Sequence, residues 1–331
     1  MQKSLLADAL LLFITFIWGT TFVLVQQAID YLPPFTFLGM RFMLAFVIML
    51  PFLALPSNRP GDTMHVTANA PGHVKRHIHP LVAAFIIGVS LFLGYALQTF
   101  GLLYTTASKA GFITGLSVVL VPALSYFILG TRLKFSTVIG VVLALLGLYA
   151  LTLGDAFVLN IGDILVFMGA IAFALQIVTT SKYAPLYNPV LLAIGQIGVV
   201  ALLSLIFAFL FEPVYEATRI SLRHWQSVGL ALFVTAVLAT SLAYWAQTTV
   251  QKYTSPVHVA LIFSMEPVFA ALTAWVVNDE RFTPLMWLGS SLILVGMLLS
   301  ELPVFQLSAR VTNALRLSRI SRNNDKNHSN H

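Results

Sequence analysis

Apolar residues in this chain gather into runs of about twenty, set apart by short clusters of proline, glycine, asparagine and charge. A bilayer core of about 30 Å needs roughly 20 apolar helical residues per crossing. Ten stretches have that character, near 5–27, 35–55, 80–103, 106–129, 135–152, 161–182, 190–210, 226–249, 255–277 and 284–302. Pro33-Pro34, the segment from Asn58 to Pro80, Gly154-Asp155, Asn188-Pro189, Glu212-Pro213 and Pro284 punctuate them. The pattern predicts an all-α membrane protein with ten transmembrane helices. Only Lys3 precedes the first run, which is longer than a signal-peptide core and has no small-residue cleavage site after it, so it reads as a retained span.

Composition supports lipid as the solvent. Apolar residues make up 58% and charged residues 9%, with mean hydropathy +0.89, too little polar surface to cover a water-soluble globule of 331 residues. The net charge of +6 has a topological explanation. With both termini on one side, that side collects 13 of the 18 Lys and Arg, including Lys3, Arg59, Lys75, Arg76, Lys182, Lys252 and Arg310. Lys109, Arg219, Arg223 and Arg281 fall opposite, and Arg41 lies inside a span. The bias predicts cytoplasmic termini and no nucleic-acid partner. The tail from Ser308 to Arg322 alternates Arg with Val, Leu and Ile, so it either lies on anionic membrane lipid or stays solvated. The absence of Cys excludes disulfides, thiolate catalysis and Cys-ligated metal.

The chain also resembles itself. A shift of 149 residues superposes Tyr95 on Tyr244, Gln98 on Gln247, Thr99 on Thr248, Tyr104 on Tyr253, Arg132 on Arg281, Gly140 on Gly289 and Gly147 on Gly296. Nearer the N-terminus the shift becomes 155, placing Asp8 on Asp163 and Pro34 on Pro189, as a longer loop between spans two and three would require. Five spans per copy make the second copy enter from the opposite side, which predicts two inverted five-helix repeats, 1–154 and 155–304, followed by a basic cytoplasmic tail, 305–331.

Several segments resemble the EamA-like branch of the drug/metabolite transporter superfamily over nearly the whole chain. They are Trp18-Gly19-Thr20-Thr21-Phe22, Pro34 through Gly39-Met40-Arg41-Phe42, Gln98 through Tyr104-Thr105-Thr106-Ala107, and above all Gln251-Lys252-Tyr253-Thr254-Ser255-Pro256, Ser264-Met265-Glu266-Pro267 and Asp279-Glu280-Arg281. The resemblance implies ten spans, a central cavity between two halves, and movement of amino acids, metabolites or drugs, often outward. One departure is that Glu280 is matched by Thr131, where the family often ends span four with an acidic residue.

Ionisable groups in lipid cost about 2.5–3.5 kcal/mol on insertion scales, so each needs a reason. Glu266 sits near the middle of span nine beside Pro267, where it can take a proton, bind a substrate amine, or serve as a structural glutamate at a proline kink. Helical rise puts Arg41 about 9 Å and Glu266 about 16 Å below the outer boundary, within reach of an ion pair if spans two and nine touch. Otherwise Arg41 snorkels or caps carbonyls in its own half. Trp18 and Thr21 suit a cavity wall, with glycine-mediated helix packing as the alternative. Tyr95 with Gln98, and Tyr244 with Gln247, three residues apart, suit a polar lining near each mouth, or interfacial anchoring of the tyrosines. His258, two turns before Glu266, is either a proton shuttle or a water-exposed interfacial histidine. His65, His73, His77 and His79 crowd one loop that does not read as a metal site.

No Walker A loop, His-Glu-x-x-His or Gly-x-Ser-x-Gly occurs, so neither an enzyme nor a cofactor is expected. The expected function is a secondary transporter of small metabolites, exporting by alternating access, as a monomer or homodimer. A membrane-embedded enzyme and a non-transporting scaffold or sensor are the alternatives.

Overall fold

The computed structural model describes residues 2–53, 78–131, 135–153, 160–212 and 222–301, and among them every regular element is helical. The helices are α1 (Gln2–Ile29), α2 (Pro34–Met49), α3 (Pro80–Gly101), α4 (Ala107–Gly115), α5 (Ser117–Leu129), α6 (Phe135–Leu153) and α7 (Ile161–Tyr183). They continue with α8 (Pro189–Phe211), α9 (Leu222–Ala236), α10 (Ala243–Gln251), α11 (Pro256–Phe263), α12 (Glu266–Asn278) and α13 (Pro284–Glu301). Eight helical stretches are long and apolar enough to cross a membrane: 6–29, 34–53, 80–101, 107–129, 161–183, 189–211, 228–251 and 256–278. The two remaining expected spans form α6 and α13, helices of 19 and 18 residues in which the described apolar stretches are Val138–Gly147 and Pro284–Met297. Large apolar side chains point outward all around, Phe127 and Phe209 each 79% exposed, as lipid contact demands. The loop 57–77 with His65, His73 and His77, the loops near 155–159 and 213–221, and the tail 305–331 lie outside the described residues. His79 instead caps α3, its Nδ1 accepting from the Leu81 amide.

Two spans expected to be regular are interrupted, and a third carries a π-helical segment. Span four tightens at Leu116 between α4 and α5, and span nine breaks at Ser264-Met265 between α11 and α12. Pro267 accounts for the second, because it offers no N–H to the carbonyl four residues back and its ring suits the first turn of a new helix. The interrupted spans cross at these points, with Gly111 against Ala270 and Gly115 against Pro267, so that α4 and α12 approach through small residues. Span eight carries a π-helical segment, Val237–Leu242, between α9 and α10.

Positions that match at the shift of 149 behave alike. Thr106 and Ser255 both cap the following helix through their side-chain oxygens. Gly130 and Asp279 both close a helix in the left-handed conformation, at φ 70° and 52°. On the face between α6 and α13, Gly147 meets Gly289 O and Ile293 N, while Gly296 meets Gly140 O and Ala144 N. Each contact is the other with the two halves exchanged.

Candidate functional site

A cavity lies among α1, α2, α3, α7, α10 and the two interrupted spans. Of the residues singled out in the sequence, Trp18, Thr21, Arg41, Tyr95, Gln98, Tyr244, Gln247 and Glu266 line it. His258 does not. Its Nε2 lies 2.8 Å from Asp8 Oδ1, with the two side chains 42% and 35% exposed, and the break at Ser264-Met265 stands between it and Glu266.

Local structure explains each placement. Gly19 lets α1 approach the Glu266 carbonyl and Phe269 closely, so the packing role and the wall role are divided between Gly19 and its neighbours Trp18 and Thr21. The Trp18 Nε1 donates to Ala239 O at 2.8 Å, inside the π segment. A π turn displaces carbonyls from the usual helical ladder and leaves them for such donors. The Trp18 ring packs on Phe263 and Tyr244 with centroids 4.9 and 5.7 Å away. Thr21 donates its own proton to Trp18 O at 2.8 Å, keeping an acceptor oxygen at the wall.

Arg41 does not snorkel, and among the described residues it makes no ion pair with Glu266. It is 2% exposed, and its Nε donates to Thr240 Oγ1 of the π segment at 2.9 Å while Nη2 donates to the Tyr95 hydroxyl at 3.3 Å. The guanidinium also stacks over the Tyr95 ring, 4.7 Å from its centroid. The Tyr244 hydroxyl donates to that of Tyr95 at 2.8 Å. The two tyrosines therefore meet in one cavity instead of marking separate mouths. Gln98 Nε2 donates to Thr114 Oγ1 at 2.9 Å. Glu266, half-buried on the first turn of α12, has no hydrogen-bond or ion-pair partner among the described residues.

Sequence reasoning passed over Thr114, Ser117, Phe173 and Gln176, which share the lining, and Gln196 and Thr240 just behind it. Buried amides and hydroxyls in apolar spans face the bundle interior for the same reason charges do, so Gln176 and Gln196 carried a readable signal. The shifts of 155 and 149 supply another: Trp18 falls on Phe173, Thr21 on Gln176, Phe22 on Ile177, Tyr95 on Tyr244, Gln98 on Gln247, Thr114 on Phe263 and Ser117 on Glu266. Both members of every pair line the cavity.

A bundle that is helical throughout its described residues, with large apolar side chains turned outward and eight helices able to cross a membrane, defines a multi-pass integral membrane protein. Residues 5–153 and 160–302 each match the EamA-like transporter family. The chain belongs to that family and is a membrane transporter. It is 37% identical over 302 residues to an "Uncharacterized transporter" of Archaeoglobus fulgidus, covering 91% of this chain and 88% of the relative. It is 22% identical to the "Uncharacterized inner membrane transporter YedA" of Escherichia coli, covering 89% and 90%. A "Probable amino-acid metabolite efflux pump" of the same species is 23% identical, covering 87% and 92%. A solved structure, "Crystal structure of protein", matches the fold with TM-score 0.64 at 19% identity, over 91% of this chain and 98% of that one.

Proposed function

We propose that this chain is a secondary transporter that moves small dipolar metabolites, amino acids and their relatives, out of the cell by alternating access. In this reading ten spans form two inverted five-helix repeats, 1–154 and 155–304, with both termini cytoplasmic. The observation that carries the proposal is a pair of ionisable side chains on one cavity: Arg41 and Glu266 line it, and neither is in an ion pair among the described residues. A buried charge without a protein counter-ion calls for a ligand counter-ion. A substrate bearing an anionic group toward Arg41 and an ammonium toward Glu266 supplies both.

Three further observations support it. The lining falls into repeat-matched pairs, two interrupted spans meet at the cavity, and transporters of this architecture bind at the interface of repeats through discontinuous helices. The efflux pump among the relatives bears on direction and substrate class. The family match in two segments bears on the repeat.

The test is counterflow of labelled amino acids into proteoliposomes holding purified protein. Exchange above empty liposomes for at least one zwitterion, with none for a panel of neutral sugars, is expected; no exchange for any zwitterion would remove the proposal. Orientation has a separate check, since the chain lacks Cys. Single Ser57→Cys and Ser221→Cys variants should react with an impermeant maleimide from opposite sides of the membrane, and reaction from one side contradicts the topology.

A further inference from the structure

Behind the cavity wall on the second-half side, three buried amides form a chain. Gln247 Nε2 donates to Gln176 Oε1 at 3.2 Å, Gln176 Nε2 to Gln196 Oε1 at 2.9 Å, and Gln196 Nε2 to Thr248 Oγ1 at 3.2 Å. All hydrogen bonds run one way, from α10 to α7 to α8 and back to α10. The acceptor end of the chain is empty. Gln247 lines the cavity and is 1% exposed, and its Oε1 has no hydrogen-bond partner among the described residues. Successive amide hydrogen bonds polarise one another, so the terminal carbonyl at the head of such a chain is a stronger acceptor than an isolated amide.

The counterpart positions in the first half are Gln98, Thr21 and Arg41 for Gln247, Gln176 and Gln196. Gln98 there is bonded to Thr114, whose own counterpart, Phe263, has no hydroxyl to offer. With phenylalanine where the first half has threonine, Gln247 has no hydroxyl partner at that position and bonds to Gln176 instead. Buried amides are usually satisfied at both ends, and this chain ends instead on the unpartnered carbonyl oxygen of a cavity-lining residue.

We infer that Gln247 Oε1, held by Gln176 and Gln196, is a specificity subsite that accepts a neutral hydrogen-bond donor, a hydroxyl or an N–H, from the side group of the transported molecule. The inference rests on the proposed transport of dipolar metabolites: Arg41 and Glu266 hold the charged ends, and Gln247 reads the remainder. A site made to receive a donor discriminates strongly against an analogue that lacks it, because the acceptor is then left unpaired.

The experiment measures binding and counterflow separately. Purified protein is titrated with threonine against valine, nearly equal in shape, and with tyrosine against phenylalanine, using ligand-induced thermal stabilisation to obtain apparent Kd. Each compound is then tried as counter-substrate in proteoliposomes. The parent should bind the hydroxyl member of at least one pair at least about tenfold tighter. Gln247→Met, which keeps length and removes the acceptor, should bring that pair to within about twofold. Gln251→Met removes an amide one turn further along α10 that bonds Ile177 O and Ser181 off the cavity wall, and should leave the preference intact. If Gln247→Met does not fold, Gln196→Met, which leaves Gln247 in place and removes its support, should weaken the preference.

Equal binding within both pairs by the parent, no binding of any of the four, or an undiminished preference in Gln247→Met overturns the inference. Counterflow without discrimination leaves transport standing and the subsite fallen. Discrimination in binding without counterflow supports the subsite and fails the transport reading.

Discussion

The two walls of the cavity are built on the same frame and differ in their polar atoms. On one, Thr21, Arg41 and Ser117 offer a hydroxyl, a guanidinium and a second hydroxyl; at the matched positions of the other stand Gln176 and Glu266, with Gln196, the match of Arg41, just behind the wall. Arg41 is held by hydroxyls of Thr240 and Tyr95, whereas Gln196 is held by other amides and Thr248. The frame itself is kept by small residues at matched places, Gly140 with Gly289 and Gly147 with Gly296, where backbones nearly touch. Backbone approach tolerates no side chain, so both halves need the same residue. A cavity wall tolerates many, and only there can one half acquire a cation and the other a carboxylate.

The frame should therefore be the least forgiving element. A Cβ on Gly147 would lie 2.7 Å from both Gly289 O and Ile293 N, and that backbone cannot move aside as a flexible side chain can. Gly147→Leu and its counterpart Gly296→Leu should both lose most of the monodisperse protein on size-exclusion chromatography in detergent, overpacking costing about 1–3 kcal/mol or more. Loss in one variant alone would break the comparison.

Arg41→Gln makes the first wall repeat the second. Hydrogen bonds to a charged group contribute about 1.5–3 kcal/mol, so apparent affinity for a carboxylate-bearing substrate should fall about 10- to 150-fold with the fold retained. Unchanged affinity would reduce Arg41 to a helix-packing role. The smallest effect is expected at Asp8–His258, a partly exposed contact 2.8 Å long. Such pairs contribute about 0.2–1 kcal/mol and are screened by salt, so Asp8→Asn should move Tm by only a few degrees and leave substrate affinity unaltered. A large loss of binding would place that contact in the site.

Much of the frame was legible in the sequence because run length is a direct measure of membrane thickness and because polar matches such as Tyr95 with Tyr244 rarely coincide by accident. The interruptions of spans four and nine were not, although Pro267 marked one of them. The π segment has no residue signature, and its role shows only in the bonds that Ala239 and Thr240 accept from Trp18 and Arg41. Seven of the eight candidates found at the cavity carry aromatic rings, charges or amides, types that stand out in apolar spans; Thr21 is the eighth. Gln176 and Gln196 fall on Thr21 and Arg41 in the first half, so no matched glutamine draws the eye to them as it does to Gln98 and Gln247. The environment of Arg41 was hidden because it depends on which helices touch, and α2 meets the π segment of span eight, not α12.

The central claim is that the charges left open on this cavity do the work of transport, and Glu266→Gln tests it most directly. The substitution keeps size and hydrogen-bonding capacity while removing the proton and the negative charge. In proteoliposomes loaded with the zwitterion that the parent exchanges, the variant should reconstitute at parental yield and melt at a similar temperature, yet lose efflux driven by a pH gradient. Efflux at the parental rate with the same pH dependence would show Glu266 to be structural and contradict the account.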